Sequence, residues 1–61
     1  MNLNIKKKRI LYDFDGEPNT DELSVKAGDE VSVVGSDDGG WIQVSLNGKQ
    51  GFVPTAYVDL N

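Results

Sequence analysis

Apolar residues recur along this chain with a period of two. Leu23 and Val25 flank Ser24, Val31 and Val33 flank Ser32, and Ile42, Val44 and Leu46 alternate with Gln43 and Ser45. Successive side chains of an extended backbone point to opposite faces, so the alternation predicts half-buried β-strands, and the wealth of β-branched residues agrees. Turn-forming clusters separate the runs: Ala27-Gly28-Asp29, Ser36-Asp37-Asp38-Gly39-Gly40 and Asn47-Gly48. Asn-Gly between two strand runs is the strongest short hairpin signal, because a type I′ turn needs positive φ at both central residues. Strands are predicted near 8–13, 30–35, 41–46, 49–53 and 57–60. Residues 13–22 contain Gly16 and Pro18 and do not alternate, so they read as a long ordered loop. Pro54-Thr55-Ala56 reads as one tight helical turn. Five short strands at this spacing define a small antiparallel barrel or sandwich.

The same parity puts aromatic rings on the wrong side. Ile10, Leu23, Val25, Val31, Val33, Val44, Val53 and Val58 can fill a core of this size without help from Tyr12, Phe14, Trp41, Phe52 or Tyr57. If Ile42 and Val44 point inward, Trp41 points outward with Gln43, and Phe52 is likewise opposite in parity to Val53. An indole on the solvent face is best explained by a partner that covers it; the alternative for any one of these rings is that it caps an end of the core or packs on a loop.

Composition narrows what that partner can be. A chain of 61 residues folds as one small domain that buries only ~60% of its unfolded surface. Cys and His are both absent, which removes thiol nucleophiles, imidazole bases and the usual zinc ligands, so no disulfide, metal or cofactor is expected. An enclosed catalytic pocket is hard to build at this size, and the expectation is a binding module and not an enzyme. Six basic against ten acidic residues give a formal charge of −4. Four of the bases are Lys6, Lys7, Lys8 and Arg9, so residues 10–61 hold two lysines against ten carboxylates, a charge of −8. A phosphate-binding surface needs the opposite sign, so nucleic acid is not expected as a partner of the folded part. Residues 1–7 are read as a basic, solvated flank, with a localisation or lipid-attracting patch as the alternative, and residues 8–60 as the folded domain. Apolar runs are too short for a signal peptide or a membrane span, and the lack of cysteine fits a reducing, cytoplasmic setting. A monomer is expected.

Four motifs in order then point to a family. Ile10-Leu11-Tyr12-Asp13-Phe14 resembles the Ala-Leu-Tyr-Asp-Tyr signature of Src homology 3 (SH3) domains. Glu22-Leu23-Ser24-Val25 followed by Gly28-Asp29 is similar to their acidic loop end and diverging turn, and Trp41 stands where they keep a groove tryptophan. Gly51-Phe52-Val53-Pro54-Thr55-Ala56-Tyr57-Val58 resembles their closing motif, so the likeness covers residues 8–60. It implies a five-stranded barrel with one short 3-10 turn that binds proline-rich, Pro-x-x-Pro segments in a shallow aromatic groove. The chemistry fits: a polyproline II helix offers ridges and free carbonyls, which flat rings and indole or phenol donors can receive. By the resemblance, Tyr12 and Tyr57 wall one proline slot and Trp41, Pro54 and Tyr57 the next, with Phe14 in the aromatic floor. Three positions depart from the family pattern. Phe14 replaces a commoner tyrosine, Ala56 replaces an asparagine that bonds the ligand backbone, and Ile42 replaces a second tryptophan away from the groove.

Acids are expected beside the slots. Asp15, Glu17, Asp21 and Glu22 lie in the first long loop and Asp37 and Asp38 in the second. The resemblance implies that an acid at the position of Glu22 pairs with an Arg or Lys flanking the ligand prolines, so these loops would form an acidic specificity pocket beside Trp41, the alternative being a solvated acidic surface. Asp13 is read as structural, accepting from loop N–H groups. The Asp13-Phe14-Asp15-Gly16 stretch only superficially echoes a calcium loop, since Leu11 would take the first ligand position and Pro18 would fall inside the loop. Rival readings are a domain that clamps a linker of its own parent protein, a ubiquitin-binding variant of the same fold, which Tyr57 argues against, and a methyl-lysine reader, which needs a compact cage and not a row of slots.

Overall fold

The computed structural model describes residues 7–61; Lys6 of the basic run lies outside them. Five strands form one antiparallel sheet: β1 (Lys7–Ile10), β2 (Glu30–Val33), β3 (Trp41–Leu46), β4 (Lys49–Pro54) and β5 (Val58–Asp59), with a 3-10 turn at Thr55–Tyr57. Their order across the sheet is β4-β3-β2-β1-β5. Of the barrel or sandwich that the alternation allows, this is the small all-β barrel that the resemblance implies.

The β3–β4 hairpin sets the frame. Asn47 (φ 53°) and Gly48 (φ 83°) both adopt the left-handed conformation that the turn demands. Leu46 pairs with Lys49, and the ladder runs without a break to Trp41 opposite Pro54. Because the side-chain period is two, this register decides every face at once. Ile42, Val44 and Val53 turn inward and join Ile10, Val25, Val31 and Val58 as the buried core, while Phe14, Leu23, Val33 and Leu46 pack against its margin. Burying one such side chain contributes about 1.5–3 kcal/mol, and with no cysteine to form a disulfide, this cluster is the main apolar support of the fold.

Three strands are shorter than their alternation suggests. β1 ends at Ile10, not at residue 13, because the chain then turns away: Asp13 Oδ1 accepts from Ala27 N–H at 2.8 Å, the structural role expected of it. β2 stops at Val33, although Val34 N–H still reaches Gln43 O at 3.0 Å. β5 is only two residues long, since Tyr57 belongs to the 3-10 turn.

The long loop is an arm with two legs. Phe14 and Val25 exchange both backbone bonds at 2.9 Å, and Gly16 N–H donates to Ser24 Oγ at 2.9 Å. At the tip Asn19 takes φ 65°, and Thr20 Oγ1 donates to Glu17 O and accepts from Glu22 N–H. The returning leg lies on the outer edge of β4: Phe52 N–H donates to Asp21 O at 2.7 Å and Leu23 N–H to Phe52 O at 2.9 Å. The arm thus covers what would otherwise be an unpaired strand edge.

Candidate functional site

The register places Trp41, Gln43, Phe52 and Pro54 on the outer face of the hairpin, Trp41 opposite Pro54 and Gln43 opposite Phe52. Trp41 is half-buried beside the buried Ile42, so it faces away from the core. Tyr12 enters from the end of β1, Phe14 from the arm and Tyr57 from the 3-10 turn. Leu11 N–H donates to Tyr57 O at 2.7 Å, bringing these distant segments together. Four rings then form a continuous row in edge-to-face contact. Centroids lie 5.3 Å apart for Tyr12–Tyr57, 6.0 Å for Tyr57–Phe14 and 5.8 Å for Phe14–Trp41. Such contacts are worth about 0.5–1.5 kcal/mol each beyond area burial, which favours this arrangement of the rings. Tyr12 remains 58% exposed.

Trp41 is held from below by a second two-residue turn. Asp38 and Trp41 exchange backbone bonds, Asp38 N–H to Trp41 O at 2.8 Å and the reverse at 3.2 Å. Gly39 (φ 63°) and Gly40 (φ 95°) both take positive φ between them. Glycine makes this turn without steric cost, and the result seats the Asp38 side chain beside the indole.

A pocket of about 310 Å³ opens between the arm and this turn, lined by Thr20, Asp21, Glu22, Asp38, Trp41 and Phe52. Three of the six acids predicted for such a pocket therefore converge on one hollow next to Trp41. Glu22 Oε1 accepts from Glu17 N–H at 2.8 Å, which fixes the carboxylate's orientation. Asp15, Glu17 and Asp37 are exposed and do not line the hollow; Asp37 instead bonds Gly40 N–H and the Thr55 hydroxyl. Thr20 and Phe52 were not among the predicted site residues. Phe52 was within reach of sequence reasoning: the Asn47-Gly48 turn alone places it opposite Gln43 and diagonal to Trp41. Thr20 carries no comparable signal. Of the three departures, Ile42 lies in the core and Ala56 is exposed on the 3-10 turn. Among the described residues no group of three or more Asp, Glu, His or Cys could hold a metal ion, and no helix is long and apolar enough to cross a membrane.

A five-stranded sheet with an arm over its edge, an outward aromatic row and an acidic hollow beside it is the architecture of a peptide-recognition barrel. The chain belongs to the SH3 domain family, a class of non-catalytic interaction modules, and matches it over residues 9–55. It is 46% identical over 54 residues to the myosin IB heavy chain of Dictyostelium discoideum, covering 87% of this chain. It spans only 5% of that heavy chain's length. Among solved structures, the Acanthamoeba myosin I SH3 domain bound to Acan125 superposes with a TM-score of 0.83 at 40% identity, covering 95% of this chain and 97% of the other. The C-terminal SH3 domain of myosin IB from Entamoeba histolytica, bound to an EhFP10(GEF) peptide, gives 0.81 at 33% identity with 95% of each chain covered.

Proposed function

We propose that this domain is a non-catalytic protein–protein interaction module that binds proline-rich segments in the polyproline II conformation and prefers those flanked by an arginine. The observation that carries the reading is the aromatic row ending at Trp41 directly beside a hollow walled by Asp21, Glu22 and Asp38. Two proline ridges would seat along the row, one between Tyr12 and Tyr57, the next between Trp41, Pro54 and Tyr57, over a floor of Phe14. Phenol and indole hydrogens would meet the ligand's free carbonyls. The basic side chain would enter the hollow, where a guanidinium can stack on the indole and bond carboxylates at once. Peptide or protein ligands on the two myosin SH3 structures support a peptide partner for this chain as well. In this reading the domain acts as a monomer in the cytoplasm, as a targeting segment of a larger cytoskeletal or signalling protein, and does not engage nucleic acid.

Such a groove buries little area, so affinities of roughly 1–100 μM are expected. Calorimetric titration with a Pro-x-x-Pro peptide carrying a flanking Arg, and with the same peptide carrying Ala there, tests the assignment. Saturable binding of both, tighter for Arg, is the expected result. Failure of both to bind at millimolar concentration removes the reading.

A further inference from the structure

Asp37 is adjacent to the pocket residue Asp38 but is turned elsewhere. Its Oδ1 accepts from Gly40 N–H at 3.2 Å and from the Thr55 hydroxyl. Thr55 N–H donates in return to Gly40 O at 2.8 Å. These bonds close a ring between the second loop and the 3-10 turn. Its location matters: Gly40 immediately precedes Trp41 and Thr55 immediately follows Pro54, the last opposed pair of the β3–β4 ladder. The ring therefore adds one more rung, made partly of side chains, where the ladder would otherwise fray.

We propose that Asp37 and Thr55 form a latch that holds Trp41, Pro54 and Asp38 in binding geometry, making Asp37 a positioning residue and not an ionic partner of a basic ligand. The proposal rests on the groove reading above. Bonds to a carboxylate are the stronger class of hydrogen bond, and here one oxygen takes two. Without them, only backbone bonds hold the Gly39-Gly40 turn against the 3-10 turn, and glycine is the residue type with the widest conformational freedom. Apparent affinity then falls by the fraction of molecules still in the competent arrangement. If that fraction is about 0.1–0.3, Kd rises about three- to tenfold. The loss is the same for any ligand lying against Trp41, whether or not it carries a charge. An ionic partner behaves otherwise: its removal weakens only a basic ligand and flattens the salt dependence.

The test compares Asp37→Ala, Asp37→Asn, Thr55→Val, Thr55→Ser and the double variant Asp37→Ala/Thr55→Val, with Asp38→Asn as the pocket control. Each is titrated with the Arg-containing and Ala-replaced proline peptides at two salt concentrations. Trp41 is the chain's single tryptophan, so its emission, its acrylamide quenching and the amide exchange of Gly40 and Thr55 report the latch without ligand. Asp37→Ala and Thr55→Val are expected to weaken both peptides by the same factor, about three- to tenfold, with the double variant no worse than either. Thr55→Ser, which restores a hydroxyl, returns affinity and Trp41 emission to the parent values. Asp37→Asn, which keeps an acceptor oxygen without the charge, retains the Arg preference, whereas Asp38→Asn reduces it. Loss confined to the Arg peptide in Asp37→Ala or Asp37→Asn overturns the proposal, as does unaltered Trp41 quenching and amide exchange in Asp37→Ala. Should Thr55→Val unfold, the Thr55→Ser and Asp37→Asn comparisons still decide. Should the parent bind neither peptide, the groove reading fails by itself and the latch stands or falls on quenching and exchange.

Discussion

Replacing Gly51 by alanine inserts one methyl group where the structure leaves no room for it. Gly51 is buried under the returning leg of the arm, and a Cβ there would lie 2.8 Å from Asp21 O, 2.8 Å from Leu23 Cβ and 3.1 Å from Leu23 N. Two of these are backbone atoms held by the bonds of Asp21 and Leu23 to Phe52, so neither can rotate away. Relief requires lifting the leg by several tenths of an ångström. That strains two backbone hydrogen bonds worth about 0.5–1.5 kcal/mol each and adds an overpacking cost of about 1–3 kcal/mol. Against this, alanine stiffens the unfolded chain and returns about 0.4–1 kcal/mol. The net expectation is a loss of about 2–4 kcal/mol, which for a domain of this size lowers Tm by roughly 15–30 °C. Urea and thermal unfolding followed by Trp41 fluorescence measure it. Gly35→Ala is the control, because its Cβ would meet only Gln43 Cβ at 3.7 Å, an ordinary contact. A surviving fold should also bind the Arg peptide with reduced preference, since Asp21 and Glu22 move with the leg. Gly51→Ala stability within about 0.5 kcal/mol of the parent would refute the reasoning, showing that the arm is not seated on β4.

Trp41→Ala should leave a folded domain and cost at least ~2 kcal/mol in peptide binding; circular dichroism with calorimetry separates this from unfolding, and a collapsed fold would mean the ring belongs to the core. Glu22→Lys should weaken an Arg-containing peptide by roughly 1–2 kcal/mol while barely affecting its Ala counterpart. The difference should shrink when salt rises from about 0.05 to 0.5 M, and equal losses for both peptides would show that Glu22 serves the arm instead of the ligand. Unfolding should be a single reversible transition, unaffected by chelator and independent of protein concentration. A midpoint that climbs with concentration would indicate an obligate dimer.

What the sequence discloses follows from how local each determinant is. The Asn47-Gly48 turn fixes the register of β3 against β4, and from that register come the inward faces of Ile42, Val44 and Val53 and the outward face of Trp41. A reader with only the sequence could have continued the same ladder to place Phe52 beside Trp41. Strand ends were less legible, since β1 stops where Asp13 leaves to bond Ala27, a partner 14 positions away that alternation does not encode. The arm was recognisable as an ordered loop from Gly16 and Pro18, but its docking on Gly51 is a packing fact between remote segments. The six acids could be assigned to their loops by position alone. Which of them face the hollow depends on side-chain bonds such as Asp37 to Thr55, and those emerge only when the 3-10 turn closes on the second loop.

The bond from Leu11 N–H to Tyr57 O joins two stretches that leave the ribosome far apart in time. Tyr12 is made before Tyr57, the ring it packs against edge-to-face, and the core lacks Val58 until one residue later still. Contacts of such long sequence separation form late, after loop closure has been met. A nascent or C-terminally clipped chain ending before residue 57 therefore exposes Tyr12 and Trp41 without a groove to organise them. Cleavage just before residue 57 is expected to remove Val58 from the core and, on the proposed reading, the second wall of the Tyr12 slot in one cut.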